Sequence, residues 1–273
     1  MNSPEASGAI PLGAADVSIA AALILLAAGV SLALRLHLER RLALAAVRTV
    51  VQLLLIGYVL KWVFDLEWFV AVVAVAFVMV LAASRAAVQR PSRTFHGATW
   101  RAFVSLVVCG FLTTVFVTGV VVGKRPWYAP QYFIPLLGMV LGNGLTGISL
   151  CLDHLLESLV ERRGEVEMEL AHGATRWEAG RDPLADAVRR GMIPIINSMM
   201  VVGIVALPGM MTGQILAGAN PIEAVKYQIV VMFMIAGATS FGCIMTALLA
   251  YRRLFNARHQ LEVGLISFQE ERH

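Results

Sequence analysis

Side chains that could bind a cation lie within the apolar parts of this sequence. Met210 and Met211 offer thioether sulfur, and Thr212 and Gln214 follow with oxygen atoms. Sulfur ligands favour soft ions such as Cu(I) and oxygen ligands favour harder cations, so the residues alone leave the metal unknown. Methionine also fills gaps between packed helices, and amide side chains can join helices by hydrogen bonds. The residues that could line a translocation pathway are Gln52, Asn143, Asn197, Met210, Met211, Thr212 and Gln214.

The segment Pro208-Gly209-Met210-Met211-Thr212-Gly213 predicts a break in a membrane helix, because it holds one proline and two glycines within six residues. Irregular backbone at membrane depth is tolerated only where it is buried in protein or lines a cavity. Broken helices often mark transport sites. This pattern therefore supports a pathway near residue 208.

Arg48 is the one charge well inside a predicted span. An intramembrane charge is a functional candidate by default. Arg48 lies only six residues after the predicted start of its span, which is about 9 Å along a helix. Its side chain can reach back to the headgroups from there, and the short distance favours that interpretation.

Motifs for catalysis are missing from the sequence. A phosphate-binding loop needs GxxxxGK[ST], and the Gly123-Lys124 pair is followed by Arg125. The sequence has no HExxH motif and no paired aspartates within an apolar run. We therefore predict no catalytic residues, no enzyme activity and no cofactor bound by this chain; any ATP would be used by a partner subunit.

The composition predicts an all-α polytopic membrane protein that forms a single domain over residues 1–273. Hydrophobic residues make up 58% of the chain and charged residues 15%, whereas a soluble domain carries about a quarter charged residues. About 20 apolar residues cross the hydrocarbon core as a helix. Seven runs meet that length approximately: 14–34, 42–60, 66–83, 102–122, 132–152, 191–217 and 227–250.

The distribution of basic residues predicts the orientation in the cytoplasmic (inner) membrane. With the N-terminus outside, only four of the 22 Lys and Arg residues fall in outer segments, namely Lys61, Lys124, Arg125 and Lys226. Arg48 lies within a span, and the other 17 fall on the cytoplasmic side. Positive charge is enriched in cytoplasmic loops, so the C-terminus and residues 153–190 are predicted to be cytoplasmic. The chain has no basic stripe with interleaved aromatics, so we expect no nucleic-acid partner.

The predicted cytoplasmic loop 153–190 is charged and carries several helix start and stop signals. Val166 and Leu170 share one face of a helix that contains Glu167, and Gly173 can end that helix in a left-handed conformation. Thr175-Arg176-Trp177-Glu178 is a capping box. Asp182-Pro183 predicts a third start. The loop is thus predicted to be a chain of short helices that exposes Trp177, and a solvated linker is the simpler alternative.

A helix that ends at a glycine corner and is followed by a short helix resembles the cytoplasmic loop of ABC-transporter permeases. In that loop a Glu precedes a glycine by six positions, as Glu167 precedes Gly173 here. Met168 and Glu169 depart from the Glu-Ala-Ala pattern of the importers. A longer resemblance is to the bacterial iron-export ABC permease family, the FetB type, which has plant relatives linked to aluminium tolerance. It is carried by RTVVQLLLIGYVL, GMVLGNGLTGISL, EMELAHGAT, GMIPIINSMMVVGIVALPGMMTGQILAGANP and YQIVVMFMIAGATSFG.

This resemblance implies a permease subunit that exports iron, forms a homodimer in the lipid membrane and is driven by a separate cytoplasmic ABC ATPase. The ATPase would dock on the 165–181 segment. The residues expected to couple the two subunits are Glu167, Gly173, Thr175, Trp177 and Glu178. A permease for another ion or small solute, and a non-transporting scaffold that recruits an ATPase, remain as alternatives.

Overall fold

The computed structural model describes residues 13–66, 68–123, 125–256 and 258–268, and these residues are mostly helical. The helices within this part are α1 Ala14–Ala33, α2 Glu39–Leu66, α3 Phe69–Gln89, α4 Ala98–Leu106, α5 Leu112–Phe116, α6 Pro130–Glu161, α7 Arg163–Ala171, α8 Arg176–Val201, α9 Gly209–Leu216 and α10 Pro221–Leu254. Two short strands, β1 Arg93–Phe95 and β2 Ile266–Phe268, pair with each other. The predicted all-α fold class is confirmed.

Six helical segments of the described chain are long and apolar enough to cross a membrane: Ala15–Ala33, Glu39–Leu66, Phe69–Gln89, Ala98–Val121, Pro130–Glu161 and Pro221–Leu254. They overlap six of the seven predicted runs, and they define a polytopic membrane protein. Several helices continue past the predicted ends. The predicted runs stop at charged residues such as Lys61 and Arg85, whereas a helix can continue through such residues near the membrane surface.

The remaining predicted run, 191–217, is not one continuous helix. α8 ends at Val201, and α9 begins at Gly209. Pro208 has no N–H with which to continue a helix, and Gly203 has a left-handed φ of 83°. The predicted break is confirmed, but it begins at residue 202, before the proline. The count of seven crossings and the external N-terminus stay predictions, and residues 1–12 lie outside the described part of the chain.

The fourth membrane-length segment, Ala98–Val121, contains two π-helical turns, Val107–Phe111 and Val117–Val121, on either side of α5. Such turns are rare within helices and are often found at functional sites. Thr114 and Thr118 donate hydrogen bonds to the carbonyls of the residues four positions earlier, at 2.7 and 2.8 Å. Their hydroxyl groups are thereby satisfied within the membrane segment.

Three helices meet where two glycines leave no room for a side chain. A Cβ placed on Gly191 of α8 would lie 2.7 Å from the carbonyl oxygen of Gly147 in α6 and 2.9 Å from the Cβ of Cys151. A Cβ on Gly147 would lie 2.7 Å from the Thr239 methyl group and 3.1 Å from the Cys243 sulfur, both in α10. Small residues allow membrane helices to approach closely. This glycine contact joins α6, α8 and α10 at the centre of the bundle.

The first two helices form a peripheral hairpin. α1 packs mainly on α2, and α2 also touches α3 and α6. Within the described part of the hairpin, Ser31 and Val63 are the buried side chains. The Ser31 hydroxyl accepts a hydrogen bond from the Leu38 N–H and donates one to Glu39, which fixes the turn between the helices. The outer faces of the hairpin are therefore open to lipid or to another chain.

The two strands connect segments that are far apart in the sequence. They pair antiparallel, with Arg93 opposite Phe268, and the Arg93 guanidinium lies 4.4 Å above the Phe268 ring. Both the N–H and the hydroxyl of Ser92 donate hydrogen bonds to the Asp153 carboxylate, at 2.7 and 2.9 Å. The loop between α3 and α4 is thus attached to the end of α6 and to the segment that follows α10.

Candidate functional site

The corner between α7 and α8, residues 162–178, has the backbone geometry that its sequence predicts. At the end of α7, the N–H of Ala174 donates a hydrogen bond to the carbonyl of Glu169 at 3.1 Å, and the N–H of Gly173 donates one to the carbonyl of Leu170 at 3.1 Å. Gly173 has φ of 93°, a left-handed value that glycine adopts without strain. This α7–α8 corner therefore reverses the chain tightly and leaves few carbonyls unsatisfied.

Thr175 caps the start of α8 in the predicted capping box. Its hydroxyl accepts a hydrogen bond from the N–H of Glu178 at 3.3 Å. The Glu178 carboxylate accepts in return from the backbone N–H of Thr175 at 2.7 Å and from its hydroxyl at 2.8 Å. These bonds favour the ionised carboxylate and lower the pKa of Glu178, the backbone N–H having the larger effect. The negative charge also lies at the positive end of the α8 dipole.

One side of the α7–α8 corner packs on the protein. Val166 is buried, and Leu170 packs against the same core, as the shared helical face predicts. Gly180 fits against Tyr251, since a Cβ there would lie 2.5 Å from the tyrosine ring. Trp177 contacts the same ring edge-to-face, with 6.0 Å between ring centroids. The corner is therefore fixed to α10 rather than free in solvent.

The other side of the α7–α8 corner is open. Trp177 is 48% exposed, and Met168, on α7, is 56% exposed. Glu167 pairs with Arg163 at 2.7 Å, and Arg162 pairs with Glu165 at 2.7 Å. The corner thus presents two large apolar side chains beside exposed ion pairs, a composition suited to a protein partner.

A further residue at this corner is absent from the sequence-based prediction. The Nδ1 atom of His259 accepts a hydrogen bond from the N–H of Arg176 at 2.9 Å, and so satisfies the first N–H of α8. His259 has a positive φ of 58°. It follows α10 in the sequence by only a few residues, and no local pattern connects it with a helix start 83 residues earlier.

The predicted third helix start at Asp182-Pro183 is wrong, because Pro183 lies inside the continuous helix α8. Gly180 and Leu184 on either side are buried, and this packing offsets the hydrogen bond that proline cannot donate. In the same way, the predicted loop 153–190 begins as the last turns of α6 and ends as the first half of α8. The α7–α8 corner is the part that protrudes between them.

The predicted oxygen-bearing residues of the pathway lie on four different helices, with Gln52 on α2. Asn143 of α6 is exposed, and its amide donates to the carbonyl of Met139 in the same helix at 2.9 Å. Asn197 of α8 is exposed, and Gln214 of α9 is half-buried. The Thr212 hydroxyl donates to the Pro208 carbonyl at 3.1 Å. These side chains therefore belong to separate helices, and no hydrogen bond joins them to one another in the described structure.

The methionines after the break face the protein interior. Met211 is buried, and Met210 packs on a core cluster formed by α6, α8 and α10. Met192, Met199, Met232 and Met234 belong to or pack on the same cluster. Their position is that of gap-filling core residues. Across the described residues, no group of three or more His, Cys, Asp or Glu side chains is arranged to hold a metal ion.

Buried polar atoms along α10 form a feature that sequence reasoning missed. Gln228, Thr239 and Thr246 are buried, and one oxygen atom of each has no hydrogen-bond partner in the described structure. Their spacings of 11 and 7 residues place them on one face of the helix. Their helical periodicity would have been a usable signal. Thr239 lies at the glycine contact, where its methyl group faces Gly147.

Arg48 and Gln52 lie four residues apart in α2 and therefore on one face of that helix. Both side chains are exposed in the single chain. α2 begins at Glu39 rather than at residue 42, so Arg48 is about 14 Å along the helix from its first residue. The two residues form a polar stripe on an otherwise apolar helix surface.

Comparison with known proteins agrees with this architecture. The profile of the uncharacterised protein family UPF0014 matches residues 14–255. A UPF0014 membrane protein of Synechocystis is 36% identical over 84% of this chain and 88% of its own length. The protein named "Probable iron export permease protein FetB" of Escherichia coli is 32% identical over 91% of this chain and 94% of its own. "Protein ALUMINUM SENSITIVE 3" of Arabidopsis thaliana is 32% identical over 93% and 92%.

The membrane-length helices and these relatives define a multi-pass permease of the inner membrane. The chain belongs to the UPF0014 family. No solved structure matches it.

Proposed function

We propose that this chain is the membrane subunit of an ATP-driven exporter of iron or a related metal ion, and that a separate ABC-type ATPase supplies the energy. The observation that carries the proposal is the α7–α8 corner, which presents Met168 and Trp177 to a partner. The relative named as a probable iron export permease supports iron as the cargo. The chain itself contains no phosphate-binding loop.

α8 is suited to transmit movement from such a partner into the membrane. It is one helix from Arg176, beside Trp177, to the glycine contact at Gly191, a distance of about 22 Å. Its capping box and its packing on Tyr251 keep its first turn intact. A displacement of the α7–α8 corner would therefore act on the place where α6, α8 and α10 touch. Opening of that contact is the conformational change that we propose for transport.

Trp177→Ala tests the docking proposal, with Trp100→Ala as a matched control, because Trp100 is an exposed tryptophan on α4. Removal of an aromatic interface anchor often costs about 2 kcal/mol or more, which is roughly a thirtyfold loss of affinity. We expect Trp177→Ala to weaken co-purification of the ATPase subunit and to uncouple hydrolysis from metal efflux. The control should retain both. Equal co-purification and coupled activity in the two variants would refute docking at this corner.

The pathway is proposed to use oxygen groups, because iron prefers harder ligands than thioethers and because Met210 and Met211 face the core. Replacing Asn143 or Gln214 with Leu should lower metal efflux while the folded protein remains. The Met210→Leu/Met211→Leu double variant keeps a similar side-chain volume and should lower metal efflux less than either oxygen-removing variant. Loss of efflux only in the double variant would instead support a thioether site and a softer metal.

We further propose that two copies of the chain pair in the membrane through α2. Gln52 would otherwise face hydrocarbon, which offers no hydrogen-bond partners, and Arg48 on the same face would have to reach back to the headgroups, whereas polar side chains in membranes usually face protein. Gln52→Cys should then form a disulfide-linked dimer in oxidised membranes. Val50→Cys, two positions earlier and near the opposite face, is the control. Equal cross-linking at both positions, or none at Gln52→Cys above wild type, would argue against this interface.

Two other functions would give different results. A permease for another solute would bind the ATPase through Trp177, but cells lacking it would keep a normal metal content. A non-transporting scaffold would bind the ATPase without any solute flux in proteoliposomes. In proteoliposomes that contain both subunits and ATP, flux of a metal identifies the metal exporter, flux of another solute alone identifies the second function, and the absence of any flux identifies the scaffold.

A further inference from the structure

A groove on the membrane-facing side of the bundle lies between the Ala98–Val121 segment and α10. It has a volume of about 520 Å³, within the range of about 300–1,000 Å³ that is usual for ligand sites. Val108 and Leu112 form one wall, and Phe241, Ile244 and Leu248 form the other. The first π-helical turn, Val107–Phe111, contributes to the first wall. The groove is apolar along nearly its whole length.

The length of this groove matches one leaflet of a bilayer. Phe241 and Arg252 are its outermost α10 residues, and they lie about 17 Å apart along the helix. The hydrocarbon core of a bilayer is about 30 Å thick, so one leaflet contributes about 15 Å. Arg252 lies where the apolar run of α10 ends, near the membrane surface. An acyl chain laid in the groove would therefore end at Arg252.

The surface end of the groove is strongly basic. Arg252 is exposed and forms no ion pair with any described residue. Arg253 follows it in the last turn of α10. The Arg101 Nε donates to the carbonyl of Leu249, another residue of the groove, at 3.2 Å. Arg252 thus lines this end of the groove, Arg253 is its neighbour in the chain and Arg101 is bonded to a groove residue, and no carboxylate among the described residues forms an ion pair with any of the three.

We propose that this groove is a binding site for one anionic phospholipid, with an acyl chain along the Val108–Leu112 wall and the phosphate at Arg252. The apolar groove alone would accept any lipid. The basic end selects among lipids, because an anionic headgroup neutralises the arginines, whereas a choline headgroup brings its own positive charge. Basic pockets between membrane helices bind anionic headgroups in this way. A helix of a second copy is the competing occupant, and the groove-filling variants below distinguish it from a lipid.

The test is native mass spectrometry of the full-length protein, titrated with dioleoylphosphatidylglycerol or with dioleoylphosphatidylcholine, which have the same acyl chains. Wild type should bind the anionic lipid about fivefold more tightly, the effect of roughly one basic residue at a membrane surface. Arg252→Gln should bring the two affinities within twofold. Arg40→Gln removes the same charge from an exposed position on α2, outside the groove, and should leave the preference intact.

Two groove-filling variants test the acyl-chain part. Thr113 lines the groove on the α5 side, and Thr113→Trp should weaken binding of both lipids at least fivefold. If that variant does not fold, Ile244→Trp fills the groove from the α10 wall and should have the same effect. Glycerol 1-phosphate, which has the phosphate but no chain, should not compete at equal concentration. Equal loss of preference in Arg252→Gln and Arg40→Gln would show a general surface-charge effect and overturn the site. Dissociation of a dimer by Thr113→Trp with unchanged lipid affinity would assign the groove to a second copy instead.

Discussion

Gly191→Ala should destabilise the bundle strongly, because the added methyl group would meet the backbone of a neighbouring helix. The new Cβ would lie 2.7 Å from the carbonyl oxygen of Gly147 and 2.9 Å from the Cβ of Cys151. Neither atom can rotate away, since one belongs to the backbone and the other is fixed to it. Bringing the closest contact from 2.7 to an ordinary 3.4 Å would require α6 and α8 to separate by about 0.7 Å.

The magnitude follows from two opposing effects. Alanine in the middle of a helix is favoured over glycine by about 0.5–1 kcal/mol. Overpacking of a close contact costs about 1–3 kcal/mol, and the rigid surroundings of Gly191 place it at the upper end. The expected net loss is about 2 kcal/mol. Gly147→Ala should lose about 1–2 kcal/mol, because its nearest neighbour at 2.7 Å is a side-chain atom, the Thr239 methyl group, and its backbone neighbour, the Gly191 carbonyl oxygen, is 3.0 Å away.

Gly142→Ala is the matched control, because Gly142 lies in α6 near Gly147 and a Cβ there would meet no atom within 4 Å. It should be as stable as wild type or up to about 1 kcal/mol more stable. The free energy of unfolding would be measured for each purified variant by titration from mild detergent into SDS, followed by circular dichroism. If Gly191→Ala were as stable as Gly142→Ala, the glycine contact would not hold these helices together.

Four further predictions concern the cytoplasmic side and the topology. Thr175→Ala should weaken the start of α8 by about 1 kcal/mol, visible as faster amide exchange in the α7–α8 corner. Folding lowers the pKa of Glu178. The stabilisation by its carboxylate is therefore present above the ordinary pKa of glutamate and is lost as the pH falls through the lower folded pKa. Glu178→Gln should remove that part of the acid dependence of unfolding. Asp153→Ala should raise amide exchange around Ser92, since two hydrogen bonds are lost, and unchanged exchange would contradict this role. A cysteine introduced at Trp177 should resist an impermeant reagent added to intact cells, and its labelling would overturn the orientation.

Local chemistry was enough to predict the apolar helices and the α7–α8 corner. Helix length and hydropathy are properties of a continuous stretch, and the cap at Thr175 and the reversal at Gly173 depend on residues within a few positions of each other. Pro183 shows where such signals fail. Its position after an aspartate is typical of a helix start, but packing of the neighbouring Gly180 against Tyr251 outweighs the local preference.

Contacts between distant residues could not be predicted in the same way. Gly147 and Gly191 look like any other small residues in apolar runs, and only the packing of α6 on α8 distinguishes them from Gly142. The hydrogen bond from Arg176 to His259 and the pairing of β1 with β2 likewise join segments without a shared sequence pattern. The pathway residues were chosen by side-chain chemistry, and the buried oxygen atoms of α10 were missed because isolated threonines are common in membrane helices.

The pairing of β1 with β2 has a consequence for how the protein is made. The hydrogen bond from Ser267 to Thr94 joins residues 173 positions apart, and ribosomes add about 5–20 residues per second. The edge of β1 therefore waits about 9–35 s for its partner strand, until every described helix has been synthesised. Unpaired strand edges can pair with other chains, so each nascent molecule passes through an interval in which a chaperone or a protease can recognise it as unfinished. A chain shortened before residue 266 would never leave that interval.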